Sequence, residues 1–184
     1  MNFLAKFLIR TMFTFSSEQK VKKQALQSLD DYLELANSIS EDLGTIPVKV
    51  PKMKGVDEDM REWSFYMLLE HHTIVNNSIS AIIHQLALDQ ELHDLALIDP
   101  KKDVMPSSDA SSKQIELFED SIKKHFYHIS ELPNSLRGTK KSNHPVFGEF
   151  DAHMWNCMFA FHLKVHYDQA KYIIDKVKLK KGVV

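Results

Sequence analysis

Apolar residues recur at intervals of three and four along most of this chain, and little interrupts the recurrence. The 184 residues include only 5 Gly and 6 Pro, so few turns and long elements are expected. Apolar side chains at this spacing share one face of an α-helix, and no stretch alternates as a β-strand does. The pattern therefore predicts an all-α fold.

Four of the periodic stretches are long enough to be bundle helices. A four-helix bundle with long connections is therefore the expected architecture. The predicted helices cover, in chain order, about 17–42, Asp57 or Asp59 to about 90, the serine-rich run 107–112 to Pro133, and Asp151 to the lysines before Gly182.

The bundle domain is predicted to span 17–178, between a leading segment, 1–16, and a basic tail, 179–184. The leading segment is apolar, but Lys6 and Arg10 interrupt any signal-peptide core, and the segment is too short to cross a bilayer. We expect it to contact the body or a partner. A membrane-surface helix is the alternative.

Charge and cysteine content narrow the function classes. Lys and Arg total 23 against 25 Asp and Glu, a net charge of −2, which gives no electrostatic case for nucleic-acid binding. The single cysteine, Cys157, lies among apolar residues and is interpreted as a buried core residue. A chain without an internal disulfide suits a reducing compartment, so a cytoplasmic location is expected.

Two histidines of the last predicted helix, His162 and His166, stand four residues apart. On a helix they project from one face, close enough for both imidazoles to reach one metal ion. The chain has 10 His, and a random order of this composition yields roughly 0.5 such pairs at that spacing. The pair alone is therefore weak, and core histidines are the alternative interpretation.

A third ligand could come from the second predicted helix, where His71 and His72 both lie near its apolar stripe. Three imidazoles with open positions form a catalytic-type zinc set and also suit nickel or iron. The residues that orient the ligands cannot be assigned from the sequence: Glu70, Asp168 and Gln169 are only near them in the chain, and Gln169 could instead hold a ligand or substrate or lie at the bundle end. The remaining histidines are expected at the surface or rim, or, for His144, in a loop: His84, His93, His125, His128, His144 and His153.

Three stretches resemble the DinB-like superfamily of metal-dependent four-helix proteins, the YfiT-like group. The last-helix motif is fairly specific and the second-helix motif is looser. The order and spacing of the helices agree over about 17–178. The stretches are Trp63-Ser64 with Met67-Leu68-Leu69-Glu70-His71, then His144-Pro145-Val146-Phe147-Gly148, and finally Trp155 with His162, His166 and Gln169.

The resemblance implies a divalent metal ion (Zn, Ni or Fe) bound by His71, His162 and His166. His71 is favoured over His72 by its distance from Trp63. The resemblance also implies a thiol-dependent S-transferase, in which the metal stabilises a low-molecular-weight thiol as the thiolate that attacks a small electrophile. Alternatives are a metal-dependent hydrolase and a non-enzymatic dimeric bundle protein with a vestigial site. A homodimer is expected in either case.

Overall fold

Helices account for most of the structure, a computed structural model that describes residues 3–90, 102–132 and 135–182. The prediction of a mostly helical, all-α chain is confirmed at this level. The elements are α1 (Phe3–Phe15), α2 (Glu18–Asn37), α3 (Glu41–Gly44), a 3-10 turn (Glu58–Met60), α4 (Phe65–Ala87), α5 (Lys113–Ser130), β1 (Ser142–His144), β2 (Gly148–Phe150) and α6 (Ala152–Lys181).

The four long helices pack side by side. α4 contacts both α5 and α6, and α2 contacts the same two helices. Asn76 bonds to Ser121 and Ser80 bonds to His125, so α4 and α5 run in the same direction. Parallel neighbours need a long connection between them, which here includes the described stretch 102–112. The apolar core between the helices includes Leu29, Phe65, Leu69, Ile83, Phe118, Ile122, Phe159, Leu163 and Ile173.

Side-chain caps fix where the helices begin. Asp151 caps α6 as predicted, accepting from the backbone N–H of Met154 at 2.8 Å. The predicted caps of the second long helix, Asp57 and Asp59, were wrong: Ser64 caps α4, accepting from Met67 N at 3.2 Å. Asp57 instead precedes the 3-10 turn, which delays the start of α4 and brings the Met60 carbonyl towards α6.

The first long helix stops earlier than predicted, at Asn37 rather than near 42. The hydroxyl of Ser38 donates to the Leu35 carbonyl at 2.7 Å. The backbone N–H of Ser38 donates to the carbonyls of Leu35 and Ala36. Ser40 then starts the separate short helix α3. Serine side chains compete with the helix for backbone partners, so this polar run ends α2.

Two predictions fall on residues that the structure does not describe. They are the end of the third long helix at Pro133 and the surface or rim position of His93.

The segment around His144 was predicted to be a loop and instead forms a short antiparallel hairpin of β1 and β2. Asn143 pairs with Glu149 at its centre. Gly148 takes a φ of 77° at the turn, a conformation that costs glycine little. The Nδ1 atom of His144 accepts from the N–H of Val146 at 3.1 Å. These contacts stabilise strands too short to give a period-two signal.

The leading segment forms a regular helix, α1, which packs on α6. Phe13 is its buried residue. The ring of Phe13 meets that of Phe161 with centroids 5.6 Å apart and that of Phe150 at 5.9 Å. Contact with the body was therefore correctly predicted. No helix in the described ranges is long and apolar enough to cross a membrane.

Candidate metal centre

Three of the predicted ligands converge where α4 packs against α6. His71 lies in the second turn of α4, and His162 and His166 lie one turn apart on the facing side of α6. One nitrogen from each imidazole lies within 4.8 Å of the other two. The ring centroids are 5.1 Å apart for His71–His162 and His71–His166, and 4.8 Å apart for His162–His166. The three side chains are close enough to hold one metal ion.

Backbone and side-chain carbonyls fix two of the imidazoles. The Nδ1 atom of His71 lies 2.8 Å from the Val104 carbonyl oxygen. The Nδ1 atom of His166 lies 2.9 Å from Oε1 of Gln169. A carbonyl oxygen only accepts, so each Nδ1 carries the proton and each Nε2 keeps its lone pair. Metal-binding histidines in proteins are commonly oriented in this way.

Gln169 is itself held in place. Its Nε2 donates to the Met60 carbonyl oxygen at 2.7 Å, and its side chain is fully buried. This bond settles which end of the amide faces His166. The 3-10 turn therefore orients a potential metal ligand through one intervening side chain.

The spacing of the ε nitrogens suits a cation. The Nε2 atoms of His71 and His162 are 3.2 Å apart. Two imidazole ligands at a Zn–N distance of about 2.0–2.1 Å in a tetrahedral site place their nitrogens roughly 3.3 Å apart. Because His71 presents a lone pair, the contact needs either a proton on His162 Nε2 or a cation between the two atoms. The residues present therefore fit a bound metal ion.

All three imidazoles are held in the neutral form that binds metals. Burial, with a smaller contribution from the neighbouring His166, lowers the pKa of His71 to about 4. Burial, followed by the effect of the other histidines, holds the pKa of His162 well below its usual value. Burial also lowers the pKa of His166, while the bond to Gln169 acts in the opposite direction. Near neutral pH none of the three imidazoles is positively charged, so no charged imidazole opposes the binding of a cation.

His72, the alternative third ligand, points to another partner. Its Nε2 lies 2.9 Å from the hydroxyl oxygen of Tyr32, and that hydroxyl donates to the Leu163 carbonyl at 3.1 Å. His72 therefore donates to Tyr32, and its buried Nδ1 has no partner in the described part of the chain. Its ring stands 5.1 Å from that of His162. His72 forms a wall of the cluster, and Tyr32 is a site contact that the sequence pattern did not reveal.

The three candidate orienting residues have different positions. Gln169 contacts a potential ligand directly. Glu70 accepts from the N–H of Ser107 at 2.9 Å and so fastens the connection that supplies the Val104 carbonyl. Asp168 is exposed. The backbone acceptors Val104 and Met60 could not have been found from residue type, because every residue carries a carbonyl.

Two histidines predicted at the surface are buried, and those predictions were wrong. His125 is 1% exposed and His153 is fully buried. His125 stacks on Phe159 with ring centroids 3.7 Å apart, and its two nitrogens lie 2.7 Å from Ser80 Oγ and 3.0 Å from Asn156 Oδ1. Such pairing removes the cost of burying an imidazole. His84 and His128 are exposed as predicted.

Comparison with known proteins gives no match to a family model, to a curated protein or to a solved structure. Conclusions about function therefore depend on the cluster and its surroundings.

Proposed function

We propose that the chain is a metal-dependent enzyme of the DinB-like type, built on a four-helix bundle formed by α2, α4, α5 and α6. The observation that carries the proposal is the set of three neutral imidazoles, two of them oriented through Nδ1 so that Nε2 faces the cluster. The mutual packing of the four long helices supports the bundle. Zinc, nickel and iron all accept imidazole ligands.

His71, His162 and His166 would hold the ion, and three protein ligands leave a coordination position free. When bound, a divalent ion in this position supplies Lewis acidity, which lowers the pKa of a thiol or water ligand. Neutral imidazole ligands do not offset the positive charge of a divalent ion. An anionic ligand such as a thiolate would therefore be attracted by the ion's full charge.

We propose a low-molecular-weight thiol as the co-substrate and a small electrophile as its partner. No carboxylate in the described ranges joins the histidine group; Asp57 acts on His166 only electrostatically, raising its pKa. Hydrolytic metal sites commonly add a carboxylate that serves as general base, whereas a thiolate is already a nucleophile. A hydrolase is therefore the second candidate.

Metal content after purification without chelator tests the proposal. We expect about one divalent ion per chain, and its loss in the variant His162→Ala/His166→Ala, because a single imidazole does not retain an ion against dilution. The exposed histidines provide a matched control: His84→Ala/His128→Ala keeps the ion. Elemental analysis by mass spectrometry measures all three proteins.

Two results would contradict the proposal. Full metal content in the His162→Ala/His166→Ala protein would remove the cluster as the binding site. Substoichiometric metal in the unaltered protein, even after incubation with zinc, nickel and iron salts, would favour a non-enzymatic protein with a vestigial site.

A further inference from the structure

The outward side of α1 is an apolar surface with nothing covering it in the described structure. Six large apolar side chains follow one face of the helix and are exposed, while the opposite side, centred on Phe13, is packed against the body. We call this surface the α1 face; it consists of Phe3, Leu4, Phe7, Leu8, Met12 and Phe15.

Several contacts hold α1 rigidly in place. Arg10 donates to the carbonyls of Phe147, at 2.5 Å, and Glu149, at 3.0 Å. At the other end of α1, Arg137 donates to the carbonyls of Thr14 at 3.0 Å and Ser16 at 3.2 Å. The α1 face is therefore presented in a fixed orientation, so a partner does not have to order the helix on binding.

The exposed area is too large for an ordinary surface. Phe3, Phe7 and Phe15 are 84%, 57% and 83% exposed, and a Phe side chain can cover about 150–250 Å², which leaves roughly 450 Å² uncovered. Leu4, Leu8 and Met12 are 63%, 58% and 46% exposed and bring the α1 face to roughly 700 Å². Monomeric proteins usually expose contiguous apolar patches of about 300–600 Å² at most.

We propose that the α1 face binds a second copy of this chain, forming a two-fold dimer. Specific interfaces bury about 800 Å² on each partner, and one α1 face, at roughly 700 Å², supplies nearly that much. A two-fold axis brings the same patch of each copy together, and a face whose six large side chains are all apolar is chemically compatible with a copy of itself. This inference concerns a surface outside the metal centre and does not depend on the proposed function.

Charge favours a second copy over a lipid surface. Membrane-surface helices usually carry several Lys and Arg beside their apolar face. In α1 only Lys6 and Arg10 are basic, and Arg10 is turned towards the hairpin carbonyls. The chain as a whole has a net charge of −2, which does not attract it to anionic lipid.

Sedimentation equilibrium of the full chain tests the proposal. We expect a particle of twice 21.3 kDa at micromolar concentration. Leu8 lies near the middle of α1, and Leu8→Glu leaves a carboxylate unpaired at the centre of the interface, so we expect dissociation to be at least about 100-fold more favourable. Leu179→Glu is the matched control, since Leu179 is 61% exposed on α6, and it should remain dimeric.

Folding and lipid binding are measured on the same proteins. Leu8 is exposed, so the circular dichroism spectrum of Leu8→Glu should match that of Leu179→Glu. We expect no co-sedimentation of the unaltered protein with phosphatidylcholine or phosphatidylglycerol vesicles. A monomeric unaltered protein, whether or not it binds vesicles, would overturn the proposal, as would a Leu8→Glu protein that dimerises normally or a Leu179→Glu protein that dissociates equally.

Discussion

At the scale of single residues, Gln169 shows how an ordinary side chain orients a potential metal ligand. It lies one turn after His166, so it was a candidate from spacing alone. The sequence did not show that the Gln169 side chain also donates to the carbonyl of Met60, a residue that lies 109 positions earlier in the chain. A predicted ligand pair can be found by helical periodicity, but its outer contacts involve backbone atoms of connections that have no periodicity.

Removing the Gln169 amide should weaken metal binding without abolishing it. In Gln169→Leu the imidazole of His166 keeps its position on α6 but loses the acceptor that fixes its proton on Nδ1. We expect metal affinity to fall by about 10–100-fold, the usual effect of losing an outer contact. Competition with a chromogenic chelator measures the change, and Gln24→Leu, at an exposed position of α2, is the control. Equal affinities in the two variants would contradict this role.

His71 and His72 show the limit of sequence reasoning at the same scale. Both lie on the buried side of α4, and both are fully enclosed. Adjacent residues differ by about 100° around the helix axis, but the buried side of α4 is wide enough to include both, so helical spacing does not choose between them. The difference arises from what faces each ring: α6 for His71 and the Tyr32 hydroxyl of α2 for His72.

At the scale of elements, the long helices were predicted well and the connections less well. α4 and α6 have continuous apolar stripes, so their existence and most of their length could be deduced. The hairpin Ser142–Phe150 could not, because its strands have three residues each and are stabilised by turn contacts. For the leading segment a helix was expected only in the membrane-surface alternative, because both sides of α1 are apolar, which leaves no polar face to define a period.

The importance of α1 to the fold can be measured through Phe13. This side chain is 1% exposed and lies among Phe147, Phe150 and Phe161. We expect Phe13→Ala to lower the free energy of unfolding by about 3–5 kcal/mol, the typical cost of removing a buried aromatic ring. Urea denaturation followed by circular dichroism gives the value.

Tyr127 of α5 supplies the matched control, since it is an aromatic residue outside the α1 face and is 63% exposed. Its replacement by Ala should change the free energy of unfolding by less than about 0.5 kcal/mol. Similar losses for the two variants would mean that α1 does not dock as described.

At the scale of the whole molecule, buried neutral histidines connect stability to pH. Burial lowers the pKa of His125 and of His144 to about 4, below the usual value of about 6.5 for an exposed imidazole. As the pH falls below about 6.5, the unfolded chain takes up protons that the folded chain refuses. Stability is therefore full above that pH and is lost progressively down to about 4.

The contribution of His125 can be isolated. Between pH 7 and pH 5 we expect this one imidazole to account for a loss of about 1–2 kcal/mol in the free energy of unfolding. His125→Asn, which cannot take up a proton in this range, should show a correspondingly shallower dependence on pH. Gln24→Leu, which replaces an exposed side chain that does not titrate, should keep the original slope. Urea midpoints at the two pH values test this, and parallel slopes for all three proteins would contradict it.

The sequence separation of the contacts around the histidine cluster determines when during synthesis the cluster can form. His162 and His71 lie 91 positions apart in the chain, and His71 and Val104 lie 33 positions apart. During synthesis α4 leaves the ribosome long before α6, so a growing chain has His71 but neither of the other two imidazoles. An ion can be captured only after α6 has been made and paired with α4. Metal loading would therefore follow translation, and a ribosome-bound fragment ending before His162 should emerge without an ion.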